Sequence, residues 1–341
     1  MADVAQQELY ARLAELETPA WWFAGEQDDL PPTVSGEWQV FSNRSDTAKL
    51  FEQQGYAVEL GDFSLFGCPP KSICYRVSKE KALVHYLINQ AATHLKEGGV
   101  LLLVGYKNDG LKTYADKAAR LLAGDSRVEK RAGGVYVAHI YKGAVLGEFL
   151  PDQDYEVLRP IAEAPRFYSK PGIFGWQKLD QGSALLIQNL DRFLEHFASP
   201  PQSCVDLGCG YGYLAVMAHQ RLPDANWLLT DNNATALVAA EGNCRYHGIE
   251  AQFLLADCAE GETGQYDALF CNPPFHQGFA VEGELTDRFI KAAYSLLRPG
   301  GQALFVVNQF IPLQRKAQGV FADTELLLRR DGFCVIRLSK A

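Results

Sequence analysis

A chain of 341 residues, 48% hydrophobic and 21% charged, has room for two domains with their own cores, and this composition excludes a disordered polypeptide. Its net charge of −9, with no basic excess in either half, excludes a protein that grips naked nucleic acid by phosphate neutralisation alone. Apolar runs such as 100–104 and 303–307 are too short to span a bilayer, and the N-terminus lacks a basic region followed by an apolar one, so a cytoplasmic location is expected.

In chain order, Leu9, Leu13 and Leu16 recur at helical spacing before Pro19, and the aromatic cluster Trp21-Trp22-Phe23 reads as core. A strand over 38–41, a helix over 46–54 and a strand over 56–60 follow. Residues 61–70 read as a strand broken by Pro69-Pro70. A helix over 79–94 then leads through Gly98-Gly99 to a strand over 100–104. The second half repeats the order at nearly constant offset. A strand ending at Phe270 meets Pro273-Pro274, a helix over 285–297 follows, and Gly300-Gly301 opens a strand over 302–307. Each half closes on two strands, joined at Gly133-Gly134 in the first and at Asp331-Gly332 in the second.

Two tandem copies of one fold are therefore expected, over 1–145 and 166–341, with the Pro-studded stretch 146–165 as linker. In the second copy a helix over 183–197 precedes strands over 204–207, 227–230, 252–256, 268–271 and 303–307. Each is apolar on both faces, as a parallel sheet buried under helices requires. The fold class is α/β, doubly wound.

The polar residues that interrupt this pattern fall at strand ends. Gly208, Gly210 and Gly212 join the first strand to a helix, and their spacing lets a ligand lie against the backbone. Asp206, two positions earlier, would repel a pyrophosphate and tolerate a cationic ligand. Asp231 ends the second strand, placed to accept from ribose hydroxyls; Asp257 ends the third and Asn272 the fourth. Each aspartate alone could be a helix cap, and Asn272-Pro273-Pro274 alone could be a turn. As a site, the corner is rich in acceptors: the Asn272 side-chain oxygen and the Pro273 carbonyl suit the two N–H bonds of a planar amine, and Phe275 offers a face for stacking. The eight cysteines form no C-x-x-C pair and the seven histidines no cluster, so no metal is expected.

The segment from Asp206 to Gly212, with Asn272-Pro273-Pro274-Phe275, resembles the class I S-adenosylmethionine-dependent methyltransferases of the amino-methylating branch. With His276 and a preceding motif-free twin, the whole chain is similar to the bacterial rRNA guanine-N2 methyltransferases, whose 16S and 23S rRNA members share this plan. Phe174 to Ser183 is similar to the family's Phe-Ser-Arg-x-Gly-Leu-Asp-x-Gly segment, with Gly175, Trp176 and Lys178 departing from it. The resemblance implies two Rossmann-like domains with the N-terminal one degenerate. It implies S-adenosylmethionine held by Asp206, Gly208, Gly210, Gly212, Asp231, Asp257, Asp180 and Asn272, and catalysis by Asn272, Pro273 and Phe275. The expected substrate is a guanosine N2 of 16S rRNA, within the 30S subunit rather than in free rRNA; a 23S rRNA guanosine and a protein glutamine N5 are the alternatives. His276 is left without an assigned role.

Overall fold

The computed structural model describes residues 3–274 and 279–341, with backbone alone over 279–283. The chain divides into two compact units, Met1–Val157 and Leu158–Ala341.

In the first unit, strands β1 (Ala20–Ala24), β2 (Trp38–Ser42), β3 (Ala57–Leu60), β4 (Ser72–Arg76), β5 (Val100–Tyr106), β6 (Ala123–Lys130) and β7 (Val135–Lys142) form one sheet in the order β3-β2-β1-β4-β5-β7-β6. Helices α1 (Val4–Tyr10), α2 (Ser45–Gln53), α3 (Lys81–His94) and α4 (Leu111–Leu122) accompany them. Pairing is parallel except at β7, which runs antiparallel to β5 and β6. The aromatic cluster is itself the central strand β1. Trp21 and Phe23 enter one core while Trp22, with Ala20 and Ala24, enters the other, the alternation a strand with both faces covered demands. At roughly 1.5–3 kcal/mol per fully buried large side chain, these rings anchor both layers.

The second unit opens with a hairpin of β8 (Arg159–Ile161) and β9 (Ala164–Ser169). Then follow α5 (Gln181–Gln188), α6 (Leu190–Leu194), β10 (Ser203–Leu207), α7 (Tyr213–His219), β11 (Asn226–Asp231), α8 (Ala234–His247), β12 (Ala251–Leu255), β13 (Tyr266–Cys271), α9 (Phe279–Leu296), β14 (Leu297–Asn308), α10 (Leu313–Ala317), β15 (Asp323–Arg330) and β16 (Phe333–Ser339). Its sheet order, β12-β11-β10-β13-β14-β16-β15, reproduces that of the first unit strand for strand, with β16 antiparallel in the place of β7. The chain is thus a duplication of one Rossmann-like α/β fold. The helix expected over 183–197 is two short ones meeting at Asn189, whose side chain donates to the Leu185 carbonyl.

The boundary between the units, at Val157 and Leu158, falls within the stretch read as a linker, 146–165. The first part of that stretch is held by side chains of α3: Asn89 Oδ1 accepts from the Leu150 N–H, and a His85 ring nitrogen lies 2.8 Å from the Pro151 carbonyl. Residues 61–70 form no strand. The double-proline correspondence also fails, because Pro69-Pro70 precedes β4 whereas Pro273-Pro274 follows β13. By register, Phe23 pairs with Tyr75 as Leu207 pairs with Cys271, so Arg76 stands where Asn272 does. The glycine correspondence survives the same test: Gly98-Gly99 precede Val100, which pairs with Ser72 at the start of β4, and Gly300-Gly301 precede Gln302, which pairs with Ala268 where the β13–β14 ladder resumes after a register shift.

Candidate active site

Strands β12, β11, β10 and β13 lie side by side and parallel, so the residues at their carboxyl ends line one edge of the sheet. In spatial order these are Asp257, Asp231, the glycine loop after β10, and Asn272. The chain leaves β10 in one direction to β11 and returns on its other side as β13. That reversal opens a crevice at the edge, where open α/β sheets bind ligands.

Asp206 lies inside β10, 0% exposed. Its Oδ2 accepts from the Ala215 N–H of α7 at 3.0 Å, while its Oδ1, equally buried, has no hydrogen-bond partner. Burial pushes this carboxyl up to about 7; the Ala215 N–H opposes the shift and the nearby Asp231 charge adds to it. A buried carboxylate oxygen without a donor fits a cationic ligand group.

The glycine loop needs its glycines for backbone reasons. Gly208 takes φ +74 and Gly212 φ +82, and a Cβ on Gly212 would lie 3.3 Å from the backbone of Ala240, so α7 starts close against α8. The N–H groups of Gly208 and Cys209 both donate to the Thr230 carbonyl, at 2.8 and 3.0 Å. Asp231, just beyond, accepts from Gly210 N–H on Oδ2 and from Asn233 N–H on Oδ1, each at 2.9 Å. Two backbone donors therefore set the plane of this carboxylate. Asp257 stands at the end of β12, where its carboxylate pairs with Arg288 of α9.

Asn272 follows β13 and is half-buried. Its Nδ2 donates to Asp180 Oδ1 at 2.6 Å and to Ser183 Oγ at 2.9 Å. The same Asp180 oxygen accepts from the Ser183 N–H at 2.7 Å, which caps α5. Asp180 is thus both helix cap and orienting partner of Asn272. A carboxylate can only accept, so the amide must turn its NH2 toward Asp180, and both N–H bonds are used. The amide oxygen is then the end that meets a ligand. Phe275 and His276 lie outside the described residues.

Sequence reasoning missed three side chains that hold this edge together. Asn243, fully buried on α8, donates to the Tyr211 carbonyl of the glycine loop and to the Tyr168 carbonyl of β9, and accepts from the Tyr168 N–H. Asn233 caps α8 and donates to the Gly172 carbonyl, tying the chain just before the Phe174 to Ser183 segment to the Asp231 turn. Arg288 is the third. All three act through contacts far apart in sequence, which leave no local signal. Among the described residues no group of His, Cys, Asp and Glu could hold a metal, and no helix is long and apolar enough to cross a membrane.

The fold and this edge define a class I S-adenosylmethionine-dependent methyltransferase, and residues 164–337 match the methyltransferase small domain family. A ribosomal RNA small subunit methyltransferase C from Pseudomonas entomophila is 30% identical over 269 residues, covering 77% of each chain. One from Pseudomonas aeruginosa is 27% identical across 98% of this chain and 92% of its own. A solved T. thermophilus 16S rRNA N2 methyltransferase, in complex with AdoMet and guanosine, superposes with a TM-score of 0.84 at 22% identity, covering 99% of this chain and 92% of that one, so the fold is shared along the whole length. The chain belongs to the ribosomal RNA small subunit methyltransferase C family.

Proposed function

We propose that this enzyme transfers the methyl group of S-adenosylmethionine to the exocyclic N2 amine of a guanosine in 16S rRNA, with the assembled 30S subunit as its substrate. The observation that carries the reading is the Asn272 amide, locked by Asp180 and Ser183 so that it can only accept. The names of the relatives support the rRNA substrate. The acidic balance of the chain supports a particle, which supplies protein surface as well as phosphate. Mass spectrometry of nucleosides from 16S rRNA of cells with and without the gene tests it: one N2-methylguanosine should disappear, and an unchanged nucleoside profile would overturn the reading.

The cofactor, when bound, supplies an electrophilic methyl on a sulfonium. For its retention, Asp231 would accept from the ribose hydroxyls and Asp257 from the adenine amine, while Asp206 and the backbone of Gly208, Gly210 and Gly212 would face the cationic amino-acid end. The guanine N2 lone pair is delocalised into the ring. The Asn272 oxygen and the Pro273 carbonyl, each accepting one N2 hydrogen, hold the amine so that its lone pair faces the methyl. On transfer, the bond from the methyl to sulfur would break as its bond to N2 forms, the sulfur would leave as a neutral thioether, and N2 would shed one proton to water. Phe275 keeps its stacking role in this proposal on its sequence position alone.

Two consequences can be measured. Removing one neutral hydrogen bond from Asn272 by Ser183→Ala should lower kcat about fivefold with the affinity for S-adenosylmethionine unchanged. The second concerns pH. With Asp206 at about 7 in the free enzyme, and a cationic amino group preferring its ionised form, cofactor binding releases a proton below that value. Affinity should therefore rise about tenfold from pH 5.5 to 6.5, level off above about 7, and lose this slope in Asp206→Asn, as read by calorimetry. The cofactor-free protein should behave in the opposite sense. Its folded state holds a proton the unfolded chain has lost, so stability falls as pH rises from about 4 toward 7 through this group.

For the first unit the proposal is a scaffold or substrate-positioning role without cofactor. The turn after β1 is filled by the chain itself: the Gly25 N–H donates to Asp28 Oδ2 and Gln6 Nε2 to Asp28 Oδ1. Arg76, at the place of Asn272, is buried between Asp3 and Asp109. One S-adenosylmethionine per chain is the expected stoichiometry.

A further inference from the structure

Beyond the methyl-transfer corner, the sheet continues to a polar and aromatic rim. Strand β14 is paired with β13 up to Cys271 and Phe305, then runs on through Val306 and Val307 to Asn308, about 10 Å further at the usual strand rise. There the chain turns: Asn308 Oδ1 accepts from the Phe310 N–H, and the Ile311 N–H donates to the Asn308 carbonyl. The Gln309 N–H donates to the Gly332 carbonyl, so this turn is fastened to the turn between β15 and β16. Phe310 at its tip is 73% exposed, the most exposed aromatic ring among the described residues.

Arg329 and Arg330, both exposed, end β15 on opposite faces of the sheet, Arg329 paired with Cys334 and Arg330 with Phe333. Arg330 faces α5, where it donates to Gln188, and lies 3.4 Å from the exposed carboxylate of Asp331, a pair worth little in water. Phe333, paired across the ladder with both Asn308 and Arg330, packs on Gly182, where a Cβ would come within 3.1 Å of its ring. Gly182 sits between Asp180 and Ser183 in sequence, inside the capping turn that grips Asn272. A continuous set of contacts thus leads from the catalytic amide to the exposed ring. The rim also lies over β14 and β16, on the opposite side of Asn272 from Asp231 and Asp257, which the cofactor reading occupies.

We propose that this rim is the RNA-side wall of the site: Phe310 stacks on a nucleobase next to the target guanosine, and Arg329 and Arg330 hold the phosphates of the same strand. The proposal rests on the rRNA reading above and names the residues that grip the strand. A large apolar ring left in water is matched by any base, since every base has a π-face, and a guanidinium on each face at the end of β15 gives a strand that crosses this edge of the sheet a cation on either side. A polyanionic single strand is the occupant that uses ring and charges together.

The test is fluorescence anisotropy with a short fluorescein-labelled, guanosine-containing single-stranded RNA, on the full chain saturated with S-adenosylmethionine. Phe310→Ala should weaken binding about tenfold and Phe310→Trp should restore it. The double variant Arg329→Ala/Arg330→Ala should lower the slope of log affinity against log salt by about 1.4. Cofactor affinity, read by calorimetry, should stay that of the parent in all three, which establishes folding. Unchanged RNA affinity and salt slope in these folded variants would overturn the wall. The same losses, with no N2-methylguanosine formed by the parent enzyme on 16S rRNA, would keep the wall and overturn the guanine reading instead.

Discussion

Asn272→Ala should lower kcat on 16S rRNA by about 10³-fold and leave the affinity for S-adenosylmethionine within about twofold. The asymmetry follows from what the amide touches. Its two N–H bonds end on Asp180 Oδ1 and Ser183 Oγ, groups of α5 and its cap, so truncation removes an acceptor from the substrate side and no backbone link of the glycine loop. Without it, one hydrogen of the substrate amine is unheld, and the lone pair is no longer aimed. Asn272→Asp discriminates further. A carboxylate there would face the Asp180 carboxylate across 2.6 Å, and two such groups share a proton or move apart, so this near-isosteric change should cost almost as much as alanine. Single-turnover rates at saturating cofactor read both effects. A rate within tenfold of the parent for Asn272→Ala would remove the amide from the chemistry.

The second large effect should come from Asp231→Ala, with cofactor affinity about 100-fold weaker and kcat at saturation much less changed. Two losses coincide at this position. On the proposed binding mode the ribose hydroxyls would lose a charged acceptor, and charged hydrogen bonds of this kind contribute about 1.5–3 kcal/mol each. The N–H groups of Gly210 and Asn233 also lose the carboxylate that fixes the glycine loop against the end of β11. Asp231→Asn should fall between, since its one carbonyl oxygen can serve either the loop or the ribose. Equilibrium dialysis or calorimetry gives the comparison directly.

How legible this was in the sequence depends on the range of the interaction concerned. Asp206, Asp231, Asp257 and Asn272 stood out because a polar residue at the end of a doubly covered apolar strand has few places to go except the sheet edge, and the strand order then sets them in a row. The duplication was legible from its closing hairpins and from Gly98-Gly99 and Gly300-Gly301. It was misaligned at the prolines, because two prolines mark a chain break equally well before β4 as after β13. Trp21-Trp22-Phe23 was read as core but not as the central strand: three consecutive aromatics show no alternation when both faces are buried. The hairpin of β8 and β9 was hidden by Pro160 and Pro165, which a two-stranded ribbon tolerates. The dual engagement of Asp180, and the clasp of Asn243 on Tyr168 and Tyr211, join residues up to 92 positions apart and leave no local trace.

The central claim is that the acceptor corner acts on guanine N2 in 16S rRNA. Purified enzyme should be given S-adenosylmethionine labelled in the methyl group together with 30S subunits, 50S subunits and protein-free rRNA from cells lacking the gene, and the label located by nucleoside and amino-acid analysis. The account predicts label in N2-methylguanosine of 16S rRNA, greatest with 30S subunits and lost in Asn272→Ala. Label confined to 23S rRNA, or to glutamine of a protein, would contradict it.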